Sequence, residues 1–380
     1  MDQTSSSPGP RYVLAGVIMA LTLAAGLASN FYGWFVERVP PTKTPPTWPA
    51  FVQGQVTNEV ADSMAKAPLP SSAASLERAA SWLAVGDLGP RVRQGCHGWL
   101  FLADELTPHA DGPANGQARA RAAAALRDRL AARGVALFVA VVPDKTRIAA
   151  DQLCGLNRPA AFAPRASDWT AALRAAGVPV LNLEPALRAV GDAAFLRTDT
   201  HWSEAGAQAA ARAVADAIRA LPAGRDALQP LQRYAITQGQ PQQRAGDLIR
   251  LAGIDWLPAR LLPPFDNVRP STFRKAADAA ASPDGGPDAD ALFGDAGLPR
   301  VALIGTSFSR NANFVPFLAA ALETPVADYA RDGGEFAGAA HAYFQSREFR
   351  DTPPRLVIWE IPERSLTRPL GGEPAMLPAP

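Results

Sequence analysis

Only two cysteines, Cys96 and Cys154, and four histidines occur in 380 residues, and 37 basic side chains nearly cancel 36 acidic ones. With a net charge of +1, the chain has no basic excess to capture a polyanion, so composition argues against a nucleic-acid partner. The two cysteines stand far apart, without a paired cysteine or a histidine spacing nearby. They therefore provide no structural zinc site, and no metal or other cofactor is expected. In an exported chain an even cysteine count is compatible with one disulfide. A bridge and two separate thiols remain alternatives, because the Cα separation decides between them. Charge is also missing locally: between Arg11 and Glu37 there is none.

That uncharged stretch, VLAGVIMALTLAAGLASNFYGWF, is long enough to cross a bilayer core, which takes about 20 apolar residues as a helix. Arg11 before it, with Tyr32 and Trp34 closing its far end, points the N-terminus into the cytoplasm and the rest of the chain outward. Gly26-Leu27-Ala28 offers a small-residue cleavage site, but the apolar run exceeds the roughly 7 to 15 residues of a signal core. An uncleaved anchor is thus preferred to a cleaved signal over residues 1–36, and either places the folded part in the periplasm. Residues 39–50, VPPTKTPPTWPA, favour extended polyproline and a stiff spacer. A Pro-rich linker and leading helix are expected over 37–90.

The remainder is 48% hydrophobic overall despite 36 prolines and 30 glycines, which indicates a folded body rather than a disordered chain. ARARAAAALRDRLAARG ends on Gly134 and runs straight into VALFVAVVP, a helix feeding a buried strand. A helix from Ser167 to Ala176 before VPVLNLE repeats that order. A helix from Ser203 to Leu221 follows, and the apolar runs RVALIG and RLVIWEI add strands. Apolar strands without polar alternation, separated by helices, predict an α/β fold with a parallel sheet covered on both faces. Its reactive groups should gather beyond the carboxyl ends of the strands. Residues 222–299, containing the turn-forming SPDGGPDAD, read as an insertion or lid within a domain spanning 91–370.

Two loops carry candidate chemistry. Ser307 follows VALIG in Gly-Thr-Ser and precedes a helix expected from Ser309 through Leu322, a turn that exposes a hydroxyl near helix N-terminal N–H groups. It suits a nucleophile; helix capping is the plainer alternative. Asp199 and His201, in Thr-Asp-Thr-His-Trp-Ser, supply the imidazole base and the orienting carboxylate that a serine hydroxyl needs at neutral pH. Here the alternative is a cap and an incidental loop histidine. Glu360, Glu363 and Arg364 read as a structural ion-pair set.

TDTHWSEAGA together with LIGTSFSRNANF resembles the alginate O-acetyltransferase family, relatives of SGNH-type esterases and transferases. HGWLFLADEL, VVPDKTRIAADQL, AGDL and VIWEIPERSL extend the resemblance over Arg91 to Leu366. Asp and His precede Ser, the reverse of ordinary SGNH enzymes, and Thr306 stands where many of them carry Asp. The resemblance implies an SGNH-like parallel sheet flanked by helices and two-step acetyl transfer to a bacterial exopolysaccharide, alginate-like or cellulose-like, through an acetyl-serine. Ser307 would be the nucleophile, His201 the base and then acid, and Asp199 the orienting carboxylate. Lys145, Arg310, Asn311 and Asn313 are candidates for substrate binding. A membrane-bound O-acyltransferase partner in the inner membrane is implied as the acetyl source. A polysaccharide acetyl esterase and a non-catalytic polysaccharide-binding assembly protein are the competing readings.

Overall fold

The computed structural model describes residues 10–43, 45–228, 231–276, 299–371, 373 and 376. The segment SPDGGPDAD lies outside them. The chain divides into two compact units, Met1–Asp87 and Leu88–Pro380.

In the first unit an apolar helix, Pro10–Phe35, carries the span Arg11–Phe35, long and apolar enough to cross a membrane. Its apolar side chains from Tyr12 to Phe31 are largely exposed. The expected spacer is only partly extended. Thr47 accepts from Ala50 N and starts a short helix at Trp48, with Pro49 in its first turn where a missing N–H costs nothing. Helices Gln55–Ala65 and Pro68–Val85 follow. They return to the end of the apolar helix, where Trp34 Nε1 donates to Ser63 Oγ (3.0 Å) and Leu69 N to Ser29 Oγ (2.9 Å).

The strands described in the second unit are β1 Val92–Gln94, β2 Leu100–Leu102, β3 Ala136–Val142, β4 Val180–Asn182, β5 Tyr234–Gln238, β6 Gln242–Arg244, β7 Asp266–Val268, β8 Ser271–Lys275, β9 Val301–Ile304, β10 Val326–Asp328 and β11 Leu356–Pro362. Five of them form a parallel sheet in the order β10-β9-β11-β3-β4. Alternation along β3 sends Phe138, Ala140 and Val142 to one face, where they pack with the helices Glu204–Ala220 and Phe314–Leu322. Leu137, Val139 and Val141 go to the other face, toward Gly112–Ala131, Arg165–Ala175 and Gly338–Phe344. Burial on both faces explains why these strands read as continuous apolar runs; each fully buried large side chain contributes about 1.5–3 kcal/mol.

The stretch expected as an insertion contributes β5 to β8, which form two antiparallel pairs, β5 with β8 and β6 with β7, and a short helix Asp247–Leu251. The single helix expected after Ser307 is two, Ser307–Arg310 and Phe314–Leu322, because Ala312 and Asn313 take left-handed φ of 53° and 56°. Cys96 and Cys154 form a disulfide with Cα atoms 4.9 Å apart, a crosslink of a kind that stabilises by about 2–4 kcal/mol.

Candidate active site

β9 ends at Ile304, Gly305 follows it, and Ser307 begins the next helix. This turn is fastened from the neighbouring strand. Glu360 of β11, fully buried, accepts from Thr306 N (2.6 Å), Thr306 Oγ1 (3.0 Å) and Ser309 Oγ (3.0 Å). Burial raises its pKa, and the three donors oppose that rise. A Cβ on Gly305 would lie 2.6 Å from Glu360 Oε2, so the turn needs glycine for this close approach. Glu360 therefore leaves the expected ion-pair set. Glu363 instead meets Arg147, Arg158 and Arg165 in a buried network with Asp144, while Arg364 approaches Glu105 at 3.7 Å.

Asp199 and His201 lie on a hairpin-like loop closed by the Phe195–Trp202 bridge, and Ser203 caps the helix Glu204–Ala220 behind it. The loop brings His201 Nε2 to 2.7 Å from Ser307 Oγ and His201 Nδ1 to 2.6 Å from Asp199 Oδ1. Asp199 Oδ1 also accepts from His201 N (2.9 Å), and Asp199 Oδ2 from Asp247 N (3.2 Å) and Arg244 (3.4 Å). Burial pushes the Asp199 carboxyl upward, but the His201 hydrogen bond and charge outweigh it and hold the pKa below the usual carboxylate range. Asp199 thus stays ionised and favours the His201 tautomer with its proton on Nδ1, leaving Nε2 free to take one from Ser307. His201 is buried, whereas Ser307 is half-buried and open to a reactant.

Further groups were not singled out from sequence as site residues. Asp266 of β7 accepts from Arg197 N (2.7 Å), Thr198 N (3.0 Å) and Thr198 Oγ1 (2.6 Å). Asp247 Oδ1 accepts from Thr200 N (2.7 Å), with its Oδ2 3.7 Å from His201 Nδ1. Burial and the neighbouring Asp199 charge raise the Asp247 pKa. The AGDL motif signalled this corner, because any Cβ on Gly246 would collide with the Thr198 carbonyl and Asp199 N. Arg244 bridges Asp199 Oδ2 and Asn311 Oδ1 and had no sequence signal. Asp199, His201 and Asp247 bring one donor atom each within 4.8 Å of one another, as a metal site would. Their hydrogen bonds to His201, Thr200 and Ser307 fit a proton relay better.

The four residues expected at the substrate take different places. Lys145 is 1% exposed, with its ammonium turned inward onto backbone carbonyls, so it does not face a groove. Asn313 Nδ2 donates to Glu204 Oε1 and the Ser271 carbonyl, so both of its N–H groups are used away from Ser307. Asn311 does border the site, donating to the Ser307 carbonyl (2.8 Å). Arg310 is 53% exposed and pairs with Asp332 at 3.6 Å.

A parallel sheet flanked by helices, with Asp and His ahead of a serine at the end of a central strand, defines an SGNH-like fold of the permuted type. A family model described as "SGNH hydrolase-like domain, acetyltransferase AlgX" matches residues 92–363. The probable alginate O-acetylase AlgJ of Pseudomonas aeruginosa is 33% identical over 351 residues, 90% of this chain and 87% of its own. Its namesake in Pseudomonas putida is 36% identical over 73% of this chain and 70% of its own. The solved O-acetyltransferase domain of Pseudomonas putida AlgJ superposes with a TM-score of 0.60 at 31% identity, covering 74% of this chain and 94% of that domain. The chain belongs to this SGNH hydrolase-like AlgX acetyltransferase family.

Proposed function

We propose that this protein is a serine-dependent O-acetyltransferase of alginate or a similar exopolysaccharide, working in the periplasm from an inner-membrane anchor. The observation that carries the reading is the unbroken array from Asp199 through His201 to Ser307, with hydrogen bonds of 2.6 and 2.7 Å. In the first half-reaction Ser307 Oγ attacks the acetyl carbonyl as His201 Nε2 takes its proton. The C–O bond to the donor breaks, and His201 returns the proton to the leaving oxygen. In the second, a sugar hydroxyl gives its proton to His201 and attacks the acetyl-Ser307 ester, restoring the free hydroxyl of Ser307.

Arg244, 40% exposed and hydrogen-bonded to Asp199 and Asn311 beside Ser307, supports an anionic acceptor there, and the names of the AlgJ relatives point the same way. The apolar helix supports the anchor, and a membrane-bound O-acyltransferase would then supply acetyl across the bilayer. We assign residues 1–36 to the anchor, 37–90 to a linker with helices, and 91–370 to the acyl-transfer domain, with 222–299 as its insertion or lid.

The test is mass spectrometry of polysaccharide fragments incubated with an acetyl ester and the full chain, with Ser307→Ala alongside. Acetylated fragments that vanish with Ser307→Ala are expected. Serine-dependent acetate release with every fragment unmodified would make the protein an esterase instead, and equal acetylation by Ser307→Ala would refute the serine mechanism.

A further inference from the structure

We infer that Lys145 is a positioning residue of the acyl-transfer site, whose buried ammonium holds the Asp199–His201 loop in register with Ser307 by donating to three backbone carbonyls. The inference rests on the triad reading above. Lys145 Nζ lies 2.6 Å from Leu100 O, 2.8 Å from Arg197 O and 2.9 Å from Asp199 O. An ammonium has three N–H donors, and here each meets one acceptor. Two of those acceptors flank Thr198 on the loop. The third is on β2, whose Leu100 N in turn donates to Arg197 O (2.9 Å).

Lys145 itself begins the helix Lys145–Ile148, just beyond the end of β3. The clamp therefore ties a loop that belongs to no sheet strand to the end of a central one. Trp99 and Phe101 each lie 5.2 Å from Nζ, measured to the ring centroid. They form a small apolar cluster with Ala149 and Leu153, against which disulfide-bonded Cys96 packs, and they shield the clamp from water.

The charged groups facing the ammonium are Glu105, Asp266, Asp199 and Asp247, from four different segments. Their attraction opposes a burial that nevertheless pulls Lys145 down to about 8. A neutral amine keeps only two N–H groups, so deprotonation leaves one of the three carbonyls without a donor in a buried site. A group that merely filled space would show no such dependence on its proton. Activity should fall as pH rises through the Lys145 value.

The experiment follows acylation of Ser307 by p-nitrophenyl acetate across pH, using the full chain, Lys145→Met and Ser307→Ala. The expected wild-type rate falls reversibly above about pH 8, while Lys145→Met, folded by circular dichroism, loses roughly 10²-fold in kcat with KM within about threefold and shows no alkaline fall. A folded Lys145→Met with the wild-type rate, or with the alkaline fall intact, overturns the inference. If Lys145→Met does not fold, the wild-type profile decides, and a flat profile to about pH 9.5 overturns it as well. Unchanged acylation in Ser307→Ala would instead strike the triad reading.

Discussion

Ser307 stands at the end of a central strand, whereas Asp199 and His201 stand on a loop flanked on neither side by a strand of the parallel sheet. The nucleophile turn inherits its position from β9 and needs one added fastening, the Glu360 carboxylate of adjacent β11. The Asp–His loop has no such frame and is held largely by charged side chains from remote segments: Lys145 on the Arg197 and Asp199 carbonyls, Asp266 on the Arg197 and Thr198 amides, Asp247 on Thr200 N. A sheet ladder holds one half of the site, and side chains with a few isolated backbone hydrogen bonds, such as Leu100 N to Arg197 O and Leu248 N to Thr198 O, hold the other. Damage to side chains should therefore affect the two halves unequally.

The largest effect lies where the halves meet. Asp199→Asn keeps the size of the side chain but removes the charge that favours an Nδ1 proton on His201 and stabilises the imidazolium. A kcat loss of roughly 10⁴-fold with little change in folding is expected. Acylation kinetics and thermal melts on one preparation check it, and a loss under about tenfold would mean that Asp247, whose Oδ2 is 3.7 Å from His201 Nδ1, serves in its place.

Next comes the loop alone. Asp266→Asn turns an acceptor of three hydrogen bonds into a group that sets N–H donors against the backbone N–H of either Arg197 or Thr198, whichever way the amide turns. Since a displacement of about 1 Å costs about 10²-fold when it misaligns reacting groups, kcat should fall by about that factor. On the sheet-held half, Glu360→Gln disturbs a comparable set of donors. There the expected cost is about 1–3 kcal/mol of stability, with kcat changed by less than about tenfold because β9 still places Ser307. Chemical denaturation and steady-state kinetics of the two variants side by side test the contrast. It breaks if Glu360→Gln proves the more damaging to kcat.

The same difference governs how much the sequence disclosed. GTS after an apolar run and TDTHW before an alanine-rich helix are local patterns, so the parallel sheet and the candidate triad could be read from them. The supports of the loop could not. Asp266 reaches Thr198 across 68 positions and Asp247 reaches Thr200 across 47, both from a stretch with too little periodicity to reveal β6 or β7; AGDL marked the Gly-Asp there without showing what it holds. Lys145 could be placed at a strand end, but its inward turn depends on Trp99 and Phe101 packing over it, which no local pattern encodes. The break at Ala312 and Asn313 was hidden for a related reason: an alanine with positive φ leaves no trace in composition.

The smallest effect separates the stability of the loop clamp from its work. In the folded chain burial brings Lys145 to about 8, against about 10.4 for a lysine in an unfolded chain. Between those values the unfolded chain still holds a proton that the folded chain has shed. Stability from this group therefore rises with pH there, by at most about 1.4 kcal/mol per pH unit. Below the folded value lysine is charged in both states and the slope vanishes. Tyr343 acts in the opposite sense at higher pH, because burial raises it above the ordinary tyrosine range and the unfolded tyrosine ionises first. Subtracting the Lys145→Met stability curve from that of the wild type cancels the tyrosine and leaves the lysine. From about pH 8 to 10 the difference should move in favour of the wild type while its acylation rate falls, so the fold tightens as the site slackens. A difference that stays level over that range would mean that the folded chain keeps the Lys145 proton to about pH 10, and an alkaline fall in acylation would then come from another group.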